Sequence, residues 1–187
     1  MRWFLRLLLR NRPAKETPEG VAGALAAAII ESANRLVTRL GQEGFARLEP
    51  ERFKSDAFLL ECVLFEWFLR AIVIPREFPR YADAIRGLLA GKLLLALQLS
   101  GVSLASLNDF DHLQGERFTE YTEASRGSES LQSLGALAWM RILGREEPSE
   151  RGTMLLALQG TAELRALDGI GKACVVSEGR PLLPDER

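Results

Sequence analysis

Between Phe58 and Ile74 only Glu61, Glu66 and Arg70 interrupt an otherwise apolar run. At 100° per residue the apolar side chains of this run fall at nearly every angle. A helix here has no solvent face and must be enclosed by neighbours. The rest of the chain supplies those neighbours as helices: it holds 33 Leu and 22 Ala against 7 Val and 7 Ile. That is a strong bias to helix formers over β-branched residues. The expected fold is all-α, a single-domain bundle of six to seven helices around a central hydrophobic helix at about 55–74. A large parallel sheet, a sandwich or a barrel is excluded, and 187 residues suit one domain.

Proline, glycine and capping residues divide the chain. A first helix over 2–11 is stopped by Pro13. A second runs from Thr17, with Thr17 as N-cap and Pro18 at the first helical position, to Leu40. The central helix begins near Pro50 or Ser55 and closes at Val73, before the Pro75–Pro79 linker. Further helices are expected over 80–99, 103–124, 131–143 and 149–167, with exits at Gly101 and Gly144. The organisation is therefore a basic amphipathic helix at 1–12, an all-helical domain at 17–168 and an irregular tail at 169–187.

The charges inside the central helix are the first candidate site. Glu66 and Arg70 stand i,i+4 in the order that favours pairing. Glu61 falls between Phe65, Phe68 and Ile72 with no base at i+3 or i+4. If buried, it needs an arginine from another helix or a raised pKa. The alternative is a functional carboxylate facing a cleft.

Asp109, His112, Glu116, Glu120 and Glu123 recur at steps of three and four, so they share one face of the helix over 103–124. Leu104, Leu107, Phe110, Phe118 and Tyr121 occupy the other. Asp109, His112 and Glu116 are candidate metal ligands or acid–base groups, because an i,i+4 His/carboxylate pair holds a divalent ion when other helices add ligands. The plainer account is a solvated acidic face. Residues 104–130 carry a local charge of −4, while residues 1–16 carry +4 within a chain of net charge −1. In the basic segment Arg2, Arg6 and Arg10 share a face, with Trp3 and Phe4 outside it. That composition fits a helix docked on the core or on a second subunit, or one lying on anionic lipid.

Several chemistries fall away. One His and two Cys preclude a multi-His centre or a zinc-finger ligand set within one chain. Near-neutral charge removes the footprint of a nucleic-acid binder. Cys62, in an apolar helix, reads as a buried thiol, so no disulfide framework is expected. The run Gly87–Leu93 lacks the spacing, the Ser/Thr and the preceding strand of a phosphate-binding loop. Leu164 to Lys172 resembles the hairpin of helix-hairpin-helix modules over about ten residues, but a helix C-cap at Gly169 explains it.

The expected function is a non-enzymatic interaction or scaffold protein that self-associates or binds a protein partner, with Arg2, Trp3, Phe4, Arg6, Arg10, Glu120 and Glu123 on the contact faces. One alternative is a metal-dependent hydrolase or metal-binding protein using Asp109, His112 and Glu116. A second is a peripheral membrane protein held to the membrane surface by residues 1–12. No cofactor is expected, and the default location is cytoplasmic.

Overall fold

The computed structural model describes residues 14–126, 130–168 and 174–176. The basic segment at 1–12, with Arg2, Trp3, Phe4, Arg6 and Arg10, lies outside these residues, as does Gly169. The described chain is an all-α bundle. Its long helices are α1 (Pro18–Gln42), α4 (Asp56–Glu77), α5 (Ala82–Leu99), α7 (Phe110–Ala124), α8 (Ser130–Leu143) and α9 (Glu150–Leu167). Three one-turn helices lie between them: α2 (Phe45–Leu48), α3 (Pro50–Phe53) and α6 (Leu104–Asn108).

Local chemistry sets the starts. The Thr17, Ser55, Ser103 and Ser149 hydroxyls accept from the backbone N–H groups of Gly20, Phe58, Ser106 and Gly152, capping α1, α4, α6 and α9. Gly101 and Gly144, the expected exits, hold φ of +88° and +65°, where a Cβ would be strained.

α4 is central, packed against α1, α5, α7, α8 and α9. From Phe58 to Ile74 every residue is buried except Leu59 and Ile72. α1 lays Leu25, Ile29, Leu36 and Leu40 into the same core. By length and composition alone α1 could also cross a membrane, with a window of mean hydropathy 1.3. In the bundle that apolarity forms its packing face against α4 and α5.

Beyond shifts of one or two residues at helix ends, the structure departs from the sequence expectation in three places. The single helix over 103–124 is two, α6 and α7, parted at Asp109. A short strand, Cys174–Val176, stands in the expected irregular tail and pairs in parallel with Ala14–Glu16, Ala14 opposite Cys174. Finally, α4 does not stop at Val73 but continues through Pro75 to Glu77.

The passage through Pro75 has a visible cause. Proline has no N–H to give the carbonyl four residues earlier, which is that of Ala71. The Arg86 guanidinium, from α5, donates to the Ala71 carbonyl at 3.0 Å and replaces the missing bond. Arg86→Met is expected to cost about 1 kcal/mol in chemical denaturation by stranding that carbonyl. In a Pro75→Ala background, where the N–H is restored, the cost should largely vanish; an undiminished cost in the double variant would refute this role.

Candidate functional site

Glu61, Glu66 and Arg70 of α4 each meet a partner from another helix, and two polar clusters result. On one side lie Glu66 and Arg70, both buried. Arg70 donates to the Glu66 carboxylate at 2.8 Å, to the Ser32 hydroxyl of α1 at 2.7 Å and to the Glu163 carboxylate of α9 at 2.9 Å. The Gln159 amide of α9 donates to Glu66 at 2.9 Å and to Glu163 at 3.2 Å. Burial pushes the Glu66 carboxyl above its ordinary range; Arg70 pulls it down and the nearby Glu163 charge adds to the rise. Arg70 Nε is buried without a hydrogen-bond partner among the described residues. The cluster ties α4 to α1 and α9 and is enclosed.

The second cluster stands at the edge of a cleft of about 470 Å³. Glu61 is 3% exposed and is gripped by Arg117 of α7, whose Nε lies 2.9 Å from both carboxylate oxygens and whose NH2 lies 2.8 Å from one. Arg117 also donates to Glu120 at 3.1 Å, and Glu120 receives Arg141 of α8 at 3.0 Å. Across the cleft, Arg52 of α3 donates to the carbonyls of Arg141 and Ile142, capping the end of α8. Arg145 bonds Glu49 at 2.8 Å. Four guanidiniums thus reach the cleft, but Glu61, Glu120, Glu49 and the lining residue Glu146 balance them. Beside it, burial and then the Glu61 charge push the Tyr121 phenol well above its usual value. Burial does the same, more than nearby charge, to the Cys62 thiol. Neither group is set up as a nucleophile.

The face at 109–123 divides differently from its sequence pattern. Asp109, His112, Glu116 and Glu123 are exposed, while Glu120 turns inward between Arg117 and Arg141. His112 Nδ1 lies 3.6 Å from Glu116, with the imidazole 80% exposed. Among the described residues no three His, Cys, Asp or Glu side chains come together to hold a metal ion, so Asp109 does not complete a set with them. Sequence reasoning missed Arg117, Arg52, Arg141, Ser32, Gln159 and Glu163. Their partners lie up to 93 positions away, and no local spacing marks them.

Among the described residues, α5 exposes an apolar face. Leu88, Leu95 and Leu99 are 39%, 53% and 80% exposed, and Gly87 and Gly91 stand open beside them. Between Gly87 and Asn108 the only charge is Lys92, which is bound to Glu19 of α1 at 2.7 Å.

Comparison with known proteins gives no match to a family model, a curated protein or a solved structure.

Proposed function

We propose that this protein is a non-enzymatic interaction protein whose contact surface is the outward face of α5. The observation that carries this is the exposed Leu88–Leu95–Leu99 stripe, along which the single charge from Gly87 to Leu99, Lys92, is paired with Glu19. Apolar residues scattered singly need no explanation, but a contiguous stripe marks a contact surface. The chemistry elsewhere supports the same reading. The carboxylates of the interior and of the cleft are bound by arginines, which suits structural cross-links between helices better than acid–base work.

The test is solution mass by light scattering. Wild-type protein should exceed the 20.8 kDa of one chain, and Leu88→Glu/Leu95→Glu should return it to that value with unchanged helix content. Equal masses for the two proteins across a hundredfold concentration range would count against the α5 surface.

A further inference from the structure

The cleft beside Glu61 is lined by hydrogen-bond donors that the interior does not use. Its four guanidiniums are matched in number by carboxylates, but not in pairing. Arg117 commits its Nε and both amino groups to Glu61 and Glu120, Glu120 also takes Arg141, and Arg145 is bound to Glu49. Arg52 has no carboxylate partner among the described residues; its bonds go to the carbonyls of Arg141 and Ile142. The partial negative charge of that helix end offsets only part of its own. The acid left over is Glu146, exposed at the rim and bound to none of the four. Arg52, Arg141 and Arg145 all bond through Nε and NH2 alone, so three NH1 amino groups around one cleft have no partner among the described residues. A guanidinium only donates, so whatever satisfies these groups must bring acceptor oxygens. We propose that the cleft binds a small organic anion, its phosphate or carboxylate held by Arg52, Arg141 and Arg145 and its apolar body lying on Leu60, Leu113 and Met140.

The turn that gathers the arginines is fixed by the backbone. The Gly144 N–H bonds the Arg141 carbonyl at 3.3 Å and the Arg145 N–H bonds the Met140 carbonyl at 2.9 Å, the paired closure that ends a helix on a left-handed glycine. Arg52 lies against the same turn: a Cβ at Gly144 would stand 3.5 Å from its Nε and 3.7 Å from its Cζ. Carbonyls hold Arg52, and carboxylates hold Arg141 and Arg145, before any ligand arrives. Donors ordered in advance reduce the entropy lost on binding, and the guanidinium fork matches carboxylate and phosphate oxygens. The opposite wall sets the other half of the ligand. Leu60 is buried, while Leu113 and Met140 are partly buried against the core. A volume of about 470 Å³ accepts a small organic molecule. A bare inorganic ion would leave the apolar wall wet. The site is built from α3, α4, α7 and the end of α8, so it stands independently of the α5 face.

Isothermal titration with phenyl phosphate and benzoate tests this, at about 0.15 M salt so that loose pairing on exposed arginines is screened. At least one should bind with a Kd of about 1 mM or lower, and the tighter of the two identifies the anionic group. Inorganic phosphate and phenol each lack one half of the ligand, and both should bind at least about tenfold more weakly than phenyl phosphate. Arg145→Met should weaken the better probe about tenfold, as loss of a charge-assisted hydrogen bond does. Glu146→Gln, which removes the unpaired acid, should strengthen it severalfold. Both residues are exposed, so neither change endangers the fold. Arg151→Met, at an arginine paired with Glu43 outside the cleft, should leave binding unchanged. The proposal is overturned if neither probe binds at about 10 mM, or if Arg145→Met and Glu146→Gln leave binding as it was. Phenol or inorganic phosphate binding as tightly as the better probe would overturn it too, because the site would then need only one of its two halves.

Discussion

Gly152→Ala is expected to destabilise the protein by about 3 kcal/mol, through overpacking at a contact with no slack. A Cβ at Gly152 would lie 2.1 Å from Cε3 of Trp139 and 2.2 Å from Cδ2, far inside van der Waals contact. The indole cannot move aside easily: it is 1% exposed and packs edge-on to Phe45 at 4.6 Å. The approach is mutual. Gly135 of α8 meets the backbone of α9, where a Cβ would stand 2.6 Å from the Thr153 carbonyl oxygen. α8 and α9 therefore touch backbone to side chain at one glycine and backbone to backbone at the other. The methyl group must separate the helices or expel the ring. Gly23→Ala is the contrasting control. It sits within α1, and a Cβ there meets nothing within 4 Å. Helix propensity alone should then raise stability by up to about 1 kcal/mol. Urea denaturation of both variants decides the matter; a Gly152→Ala midpoint at or above that of wild type would mean the α8–α9 contact is looser than described.

How much of this was legible in the sequence follows from the range of each interaction. Thr17, Ser55, Gly101 and Gly144 act on their own turns, so the helix ends they set can be read directly. The enclosure of α4 was legible because seventeen consecutive positions with three charges leave a helix no outward side. The passage through Pro75 was not, because the group that replaces the missing N–H is Arg86, on the next long helix. Glu120 repeated the acidic spacing of its neighbours, yet Arg141, twenty-one positions on, draws it inward. Glu61 could be marked as needing a partner, but one sequence cannot say which arginine arrives. The α5 face was hidden for the opposite reason. Its leucines cluster so densely at 88–99 that the pattern shows no solvent side, and only packing reveals that Leu89, Leu93 and Leu97 are inside while Leu88, Leu95 and Leu99 are out.

Arg70→Met is expected to lower stability by about 3–5 kcal/mol at pH 8, the range for removing one member of a buried ion pair. Arg70 is 2% exposed and links three partners at once, so its loss leaves Glu66 fully buried without its counter-charge and takes one partner each from Glu163 and Ser32. The pH dependence follows from Glu66. Its folded pKa is already raised by burial, so it favours folding most when protonated, and that contribution is lost as pH rises through the folded pKa. Without Arg70 to pull it down, the pKa rises further, and the window in which acid restores stability moves to higher pH. The deficit relative to wild type should therefore shrink as pH falls from 8 towards 5. A second substitution gives the same information at constant pH. Glu66→Gln removes the stranded charge while keeping a side chain of the same shape beside Gln159, so Arg70→Met/Glu66→Gln should be more stable than Arg70→Met at pH 8. A deficit that stays constant between pH 8 and 5, together with no gain from Glu66→Gln, would show that the cost arises from lost packing around the arginine stem and not from the carboxylate it neutralises.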